Sequence, residues 1–156
     1  MQKWTTIEQG KALEELIDNL GADMYYDLIA EPEQYGYPSA PCLEDDFGCF
    51  VPCWTLGALV ELLPTELTIE GDKRLRREMN VCGNHVSVQY VTLMEGVPVF
   101  SITSDDGDLF TCVYNMVFDF AHNEQMRKQL ETAVSLRDLV YAGGSNKNTK
   151  EECTDE

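Results

Sequence analysis

The stretch that decides the fold is His85-Val86-Ser87-Val88-Gln89-Tyr90-Val91-Thr92-Leu93-Met94-Glu95-Gly96-Val97-Pro98-Val99-Phe100-Ser101-Ile102. Val86, Val88 and Tyr90 alternate with more polar residues, the period of a strand with one buried face. A second apolar run, Val97–Ile102, follows Glu95-Gly96, a turn pair, so the two runs form a hairpin. Pro98 removes a ladder donor, which assigns its strand to an edge or to one-sided pairing there. Upstream, Leu67 and Ile69 alternate within Glu66–Glu70 and give another strand. Residues 71–84 show no readable pattern.

Working outward, Ser104-Asp105-Asp106-Gly107-Asp108 offers carboxylates to cap a following helix. Leu109, Val113, Met116, Val117 and Phe120 form its stripe. The helical pattern resumes through Met126, Leu130 and Val134, with Leu136, Leu139 and Val140 beyond. Before the strands, Thr55 caps a shorter, nearly all-apolar helix to Leu63, with Trp54 set to staple onto Leu59 and Pro64 as the stop. Near the start, Leu13, Leu16, Ile17 and Leu20 recur at helical spacing, with a Thr6–Gln9 capping box and Gly21 as terminator. Met24–Ile29 reads as a short strand. Residues 31–48 hold Pro32, Gly36, Pro38, Pro41 and Gly48 and read as a loop too long for a plain connector. Strands thus run together rather than alternating with helices. The expected fold is α+β, a small antiparallel sheet of three to four strands with about three helices packed mainly on one face. Residues 1–142 are expected to form one domain, and residues 143–156 a flexible polar C-terminal tail.

The chain has 156 residues, 44% hydrophobic and 25% charged, enough for a globular core without a metal or disulfide staple. Acidic residues number 28 against 11 Lys and Arg, a net charge of −17. That field repels phosphate backbones and anionic lipid, and so disfavours direct nucleic-acid binding and membrane binding. Residues 1–48 are the most acidic part, with 11 acids against 2 bases. No apolar run reaches the ~20 residues of a membrane span, and no signal-peptide core follows Met1. The six cysteines therefore read as reduced thiols in a cytoplasmic protein.

Three strings carry a resemblance: Trp4-Thr5-Thr6-Ile7-Glu8-Gln9-Gly10-Lys11, Ala22-Asp23-Met24-Tyr25-Tyr26 and the run Pro52-Cys53-Trp54-Thr55-Leu56 through Pro64. Together they resemble a family of small uncharacterised proteins encoded by phages and mobile elements of anaerobic gut bacteria. The resemblance covers Met1–Pro64 and, more loosely, the terminal helix. It implies the cytoplasm of a bacterial host as the setting, and no activity, cofactor or catalytic residue. The Gly143–Glu156 tail and the basic Lys73–Arg77 segment depart from the family pattern.

Few constellations carry chemistry. Cys49-x-x-x-Cys53 with Cys82-x-x-His85 has the residue types of a zinc site, since zinc takes four thiolate or imidazole ligands from paired turns. Independent buried thiols explain the same cysteines without metal, and Cys42 is left over. Asp105-Asp106-Gly107-Asp108 lacks the ligand spacing of a calcium loop, and helix capping accounts for it. Asp119 and His122 lie one turn apart on one helix, with no second pair to complete a metal site. Cys112 and His122 are ten residues apart on a helix, roughly 15 Å, too far for a nucleophile and its base. Lys73-Arg74-Leu75-Arg76-Arg77 is the one place where a phosphate or acidic partner could dock; a solvated, strand-blunting role also fits it.

Tyr25, Tyr26, Tyr35 and Tyr37, beside Glu44, Asp45 and Asp46, form the expected partner-binding surface, because tyrosines anchor interfaces with one face packed and one wet. The sequence thus points to a small acidic, non-enzymatic protein–protein interaction protein without cofactor. The alternatives are a nucleic-acid-mimicking inhibitor of a host or defence protein and a small zinc-binding regulator.

Overall fold

A computed structural model describes residues 2–28, Pro38 and residues 50–135. The remainder of the 31–48 loop, Leu136, Leu139, Val140 and the 143–156 tail lie outside the described residues. Helix α1 spans Ile7–Ile17 and opens on the expected capping box: Gln9 N donates to Thr6 Oγ1 at 3.1 Å and Thr6 N to Gln9 Oε1 at 2.9 Å. Leu13 and Ile17 of its stripe are buried. The helix stops earlier than Gly21, because Asp18 turns into the left-handed region at φ 55°. Gly10 faces the next layer so closely that a Cβ there would lie 2.4 Å from Pro52 O.

Strand β1 (Met24–Asp27) pairs antiparallel with β2 (Phe50–Cys53), in register Met24↔Cys53 to Asp27↔Phe50. This two-stranded sheet was not expected, because β2 holds Pro52 and lacks alternation. Thr5 ties it to the next helix: its N–H donates to Trp54 O at 2.9 Å and its Oγ1 accepts from Trp54 N at 3.0 Å. Helix α2 (Leu56–Leu62) is capped by Thr55, as expected; Ala58 N donates to Thr55 Oγ1, and Thr55 in turn donates to Asp23.

The main sheet is an antiparallel meander in the order β3-β4-β5-β6: β3 Glu66–Ile69, β4 Lys73–Cys82, β5 His85–Thr92 and β6 Pro98–Ser104. Strand β4 fills the stretch that had no readable pattern. Arg77 interrupts its alternation of Leu75, Met79 and Val81, because Arg77 turns inward and its Nη1 donates to Val60 O at 3.0 Å and Leu63 O at 2.7 Å. It thereby caps the negative end of α2. The predicted edge position of Pro98 holds: it pairs with Val91 beside an irregularity in the β5–β6 ladder.

Helix α3 (Leu109–His122) is capped by Asp108, which accepts from Thr111 N at 3.0 Å. Asn123 then closes α3 through its N–H and opens helix α4, residues 124–135, through its Oδ1, which accepts from Gln125 N and Met126 N. The described residues thus hold four α-helices rather than about three, and the α+β expectation stands. Leu59, Leu67, Leu75, Val88, Tyr90, Phe110, Val113, Val117 and Leu130 meet in one core between the main sheet and the helices. Tyr90 is wholly buried and its OH donates to Pro64 O at 2.6 Å.

Candidate interaction edge

The two edge strands of the main sheet are built differently. Strand β3 is four residues long, and its Glu66 pairs with Arg74 of β4. Gln129 of α4 lies along β3 as a substitute strand: Thr68 N donates to its Oε1 at 2.9 Å and its Nε2 donates to Thr68 O at 2.9 Å. That edge is closed. Strand β6 is seven residues long and has no charged residue, and among the described residues its only strand neighbour is β5.

Beside β6 lies a groove of about 360 Å³, floored by Phe100, Ile102, Met116, Phe120 and Met126 with Asp119 at its side. Phe100 meets Phe120 edge-on at 5.4 Å, which fixes the floor. Val99 on the strand is 44% exposed, and at the hairpin tip Met94 is 98% exposed and Val97 49%. The groove and the strand edge thus form one apolar strip. Compared with protein-family models, curated proteins and solved structures, the chain matches none. The site must therefore be read from its own geometry.

A larger cleft, about 560 Å³, opens between the end of α2, the start of β3 and α4. Three of its long polar side chains are already engaged, Arg77 on the α2 carbonyls, Gln129 on Thr68 and Glu66 on Arg74. The β6 groove, with a strand edge beside it that is unpaired among the described residues, is the better docking feature.

The sequence-derived candidates fare unequally. Tyr26 is corrected: it is 4% exposed, and its OH donates to Thr5 O at 2.7 Å, so it packs the small sheet rather than a partner. Burial, reinforced by nearby Cys53, pushes its phenol up to about 12. Tyr25 is half-buried, edge-on to Phe50 at 6.4 Å. Tyr35, Tyr37, Glu44, Asp45, Asp46, Cys42 and Cys49 lie outside the described residues. Of the zinc candidates, Cys53 is buried with its Sγ 3.5 Å from Thr5 O, whereas Cys82 and His85 face each other across the β4–β5 turn in the other sheet. His85 Nδ1 lies 2.7 Å from Asp105 Oδ1, with both side chains largely in solvent. Among the described residues no three His, Cys, Asp or Glu side chains converge as metal ligands.

Capping explains Asp108 but not the whole acidic run, since Asp105 serves His85. The hydrogen bonds from Thr111 hold the Asp108 carboxyl below the usual range. The basic segment is engaged internally: Arg74 with Glu66, Arg76 with Glu78 and Leu93 O, Arg77 with α2. His122 turns to Phe118, with its Nδ1 2.9 Å from the carbonyl, and away from any metal role with Asp119. The Cys112 thiol is buried and raised by that burial, with Asp108 adding to the shift.

Proposed function

We propose that the chain is a small acidic, non-enzymatic interaction protein, of the phage or mobile-element kind that Met1–Pro64 resembles, docking a protein partner along the β6 edge. The observation that carries this reading is the contrast between the two sheet edges. Natural sheets blunt edges that are not meant to pair, with charge, brevity or a covering element. Strand β3 has all three, through Glu66, its four residues and Gln129. Strand β6 carries Pro98 and a bulge at Val99 at one end, but among the described residues its remaining length has neither charge nor cover and is backed by an apolar groove.

The test is a selection of displayed random peptides against the full chain, repeated with the Val99→Lys variant. Enriched peptides should lose about tenfold or more in affinity for Val99→Lys and keep their affinity for Tyr25→Ala. Enriched peptides indifferent to Val99→Lys would refute the reading.

A further inference from the structure

The occupant of the β6 groove follows from what the groove offers, and its identity rests on the docking role just proposed. We infer that it is an extended cationic segment of another protein, added to β6 as a fifth strand, with apolar side chains at alternate positions and a lysine or arginine placed to reach Asp119.

Strand geometry comes first. An added strand hydrogen-bonds along the edge of β6 left open among the described residues, whose regular part, Phe100–Ser104 beyond the bulge at Val99, matches about five residues of the ligand. Every second side chain of that strand then lies on the helix side, where Phe100, Ile102, Met116 and Phe120 form an apolar floor. The intervening side chains lie on the side of Ser101 and Thr103, both exposed. Alternation in the ligand is therefore required, and a helix would not satisfy the edge.

Charge comes second. From Glu78 through Met126 the chain holds seven carboxylates and no lysine or arginine. Strands β5 and β6 and helix α3 all come from this stretch, so these groove walls carry an anionic field, and Arg127 of α4 is the first cation after the stretch. Asp119 is exposed at the groove and forms no ion pair among the described residues. A cation from the ligand supplies what the Glu78–Met126 stretch lacks. The same field opposes a second copy of this chain, since each brings a net charge of −17.

The experiment titrates the full chain against fluorescent synthetic probes of about nine residues and reads anisotropy at low and physiological salt. The first probe alternates valine and lysine. A second has the same composition in blocks, and a third has glutamine for lysine. Two more carry N-methyl groups on alternate amides, in the two possible registers. The alternating probe should bind about tenfold tighter than the blocked one, and one N-methyl register alone should abolish that advantage. Glutamine for lysine, and Asp119→Lys in the protein, should each weaken binding about fivefold, less so at high salt.

Equal binding of the blocked probe would reduce the effect to bulk charge and overturn the inference. Equal effects of both N-methyl registers would exclude an added strand. If the glutamine probe binds as well as the lysine probe while Val99→Lys still blocks both, the cation is wrong and the docking edge survives. If no probe responds to Val99→Lys, the docking reading itself falls. A dimer in sedimentation that Val99→Lys dissociates would make the occupant a second copy, against the inference. Val99 is nearly half exposed, so its lysine variant should melt like the parent.

Discussion

Replacing Arg77 with methionine isolates the work of one guanidinium. Its Nη1 donates to Val60 O at 3.0 Å and Leu63 O at 2.7 Å, at the end of α2 where the helix dipole is negative. Methionine keeps most of the apolar stem, so packing changes little. Hydrogen bonds from a charged donor contribute about 1.5–3 kcal/mol each when buried. Two such bonds would give about 3–6 kcal/mol, but Arg77 is only half-buried and lines a cleft together with Val60 and Leu63. Discounting by about half for that solvation leaves about 1.5–3 kcal/mol. The assay is urea unfolding followed by circular dichroism. With an m-value of about 2 kcal/mol/M, the midpoint should fall by about 0.7–1.5 M. Arg77→Lys should recover only part of the loss, because an ammonium lacks the fixed fork that reaches both oxygens. A midpoint within about 0.2 M of the parent would show that the guanidinium does not hold α2, and the capping argument would be wrong.

Gly10→Ala should destabilise by about 2 kcal/mol or more in the same assay, reversing the usual gain of alanine in a helix, because the new Cβ meets the Pro52 carbonyl. Asp108→Ala should cost about 1 kcal/mol at neutral pH through loss of the α3 cap. Its folded carboxyl is depressed, so the stability it contributes is present above the unfolded pKa near 4 and lost as pH falls through the lower folded value. The gap between variant and parent should therefore close in acid. Tyr26 is raised, so its contribution is intact below the unfolded pKa of about 10 and lost as pH rises towards about 12. Tyr26→Phe should cost about 1 kcal/mol at neutral pH and make the alkaline loss of stability shallower.

Period-two alternation was enough to read β5, whose Val86, Val88 and Tyr90 share the core face, while the apolar run after Glu95-Gly96 gave β6 and the missing donor of Pro98 gave its edge role. Strand β4 escaped because its inward position 77 is an arginine, held there by the carbonyls at the end of α2, and a helix end is invisible to strand periodicity. Strand β2 escaped because four residues containing Pro52 carry no period, and their partner β1 is more than twenty residues away in the chain. Tyr25 and Tyr26 show the limit for sites. In a four-residue strand, alternation places adjacent tyrosines on opposite faces without saying which face is inside. The uncharged character of β6 was legible in the sequence. The groove was not, since it exists only where α3 and the start of α4 cross beside the strand.

The amide of Gln129 occupying both bonding groups of Thr68 bears on how far this protein can assemble. Head-to-tail stacking of sheets into a fibre needs two receptive edges on every molecule, one to accept and one to offer. Here the β3 end is already terminated from within, so a strand arriving at β6 finds no continuation on the far side of the sheet. Strand addition at β6, as proposed, would then stop at a closed stoichiometry, one added strand per chain. An uncharged edge used for recognition would in that case not seed a polymer, and the residue that blocks it, Gln129, lies on a helix at the opposite side of the sheet.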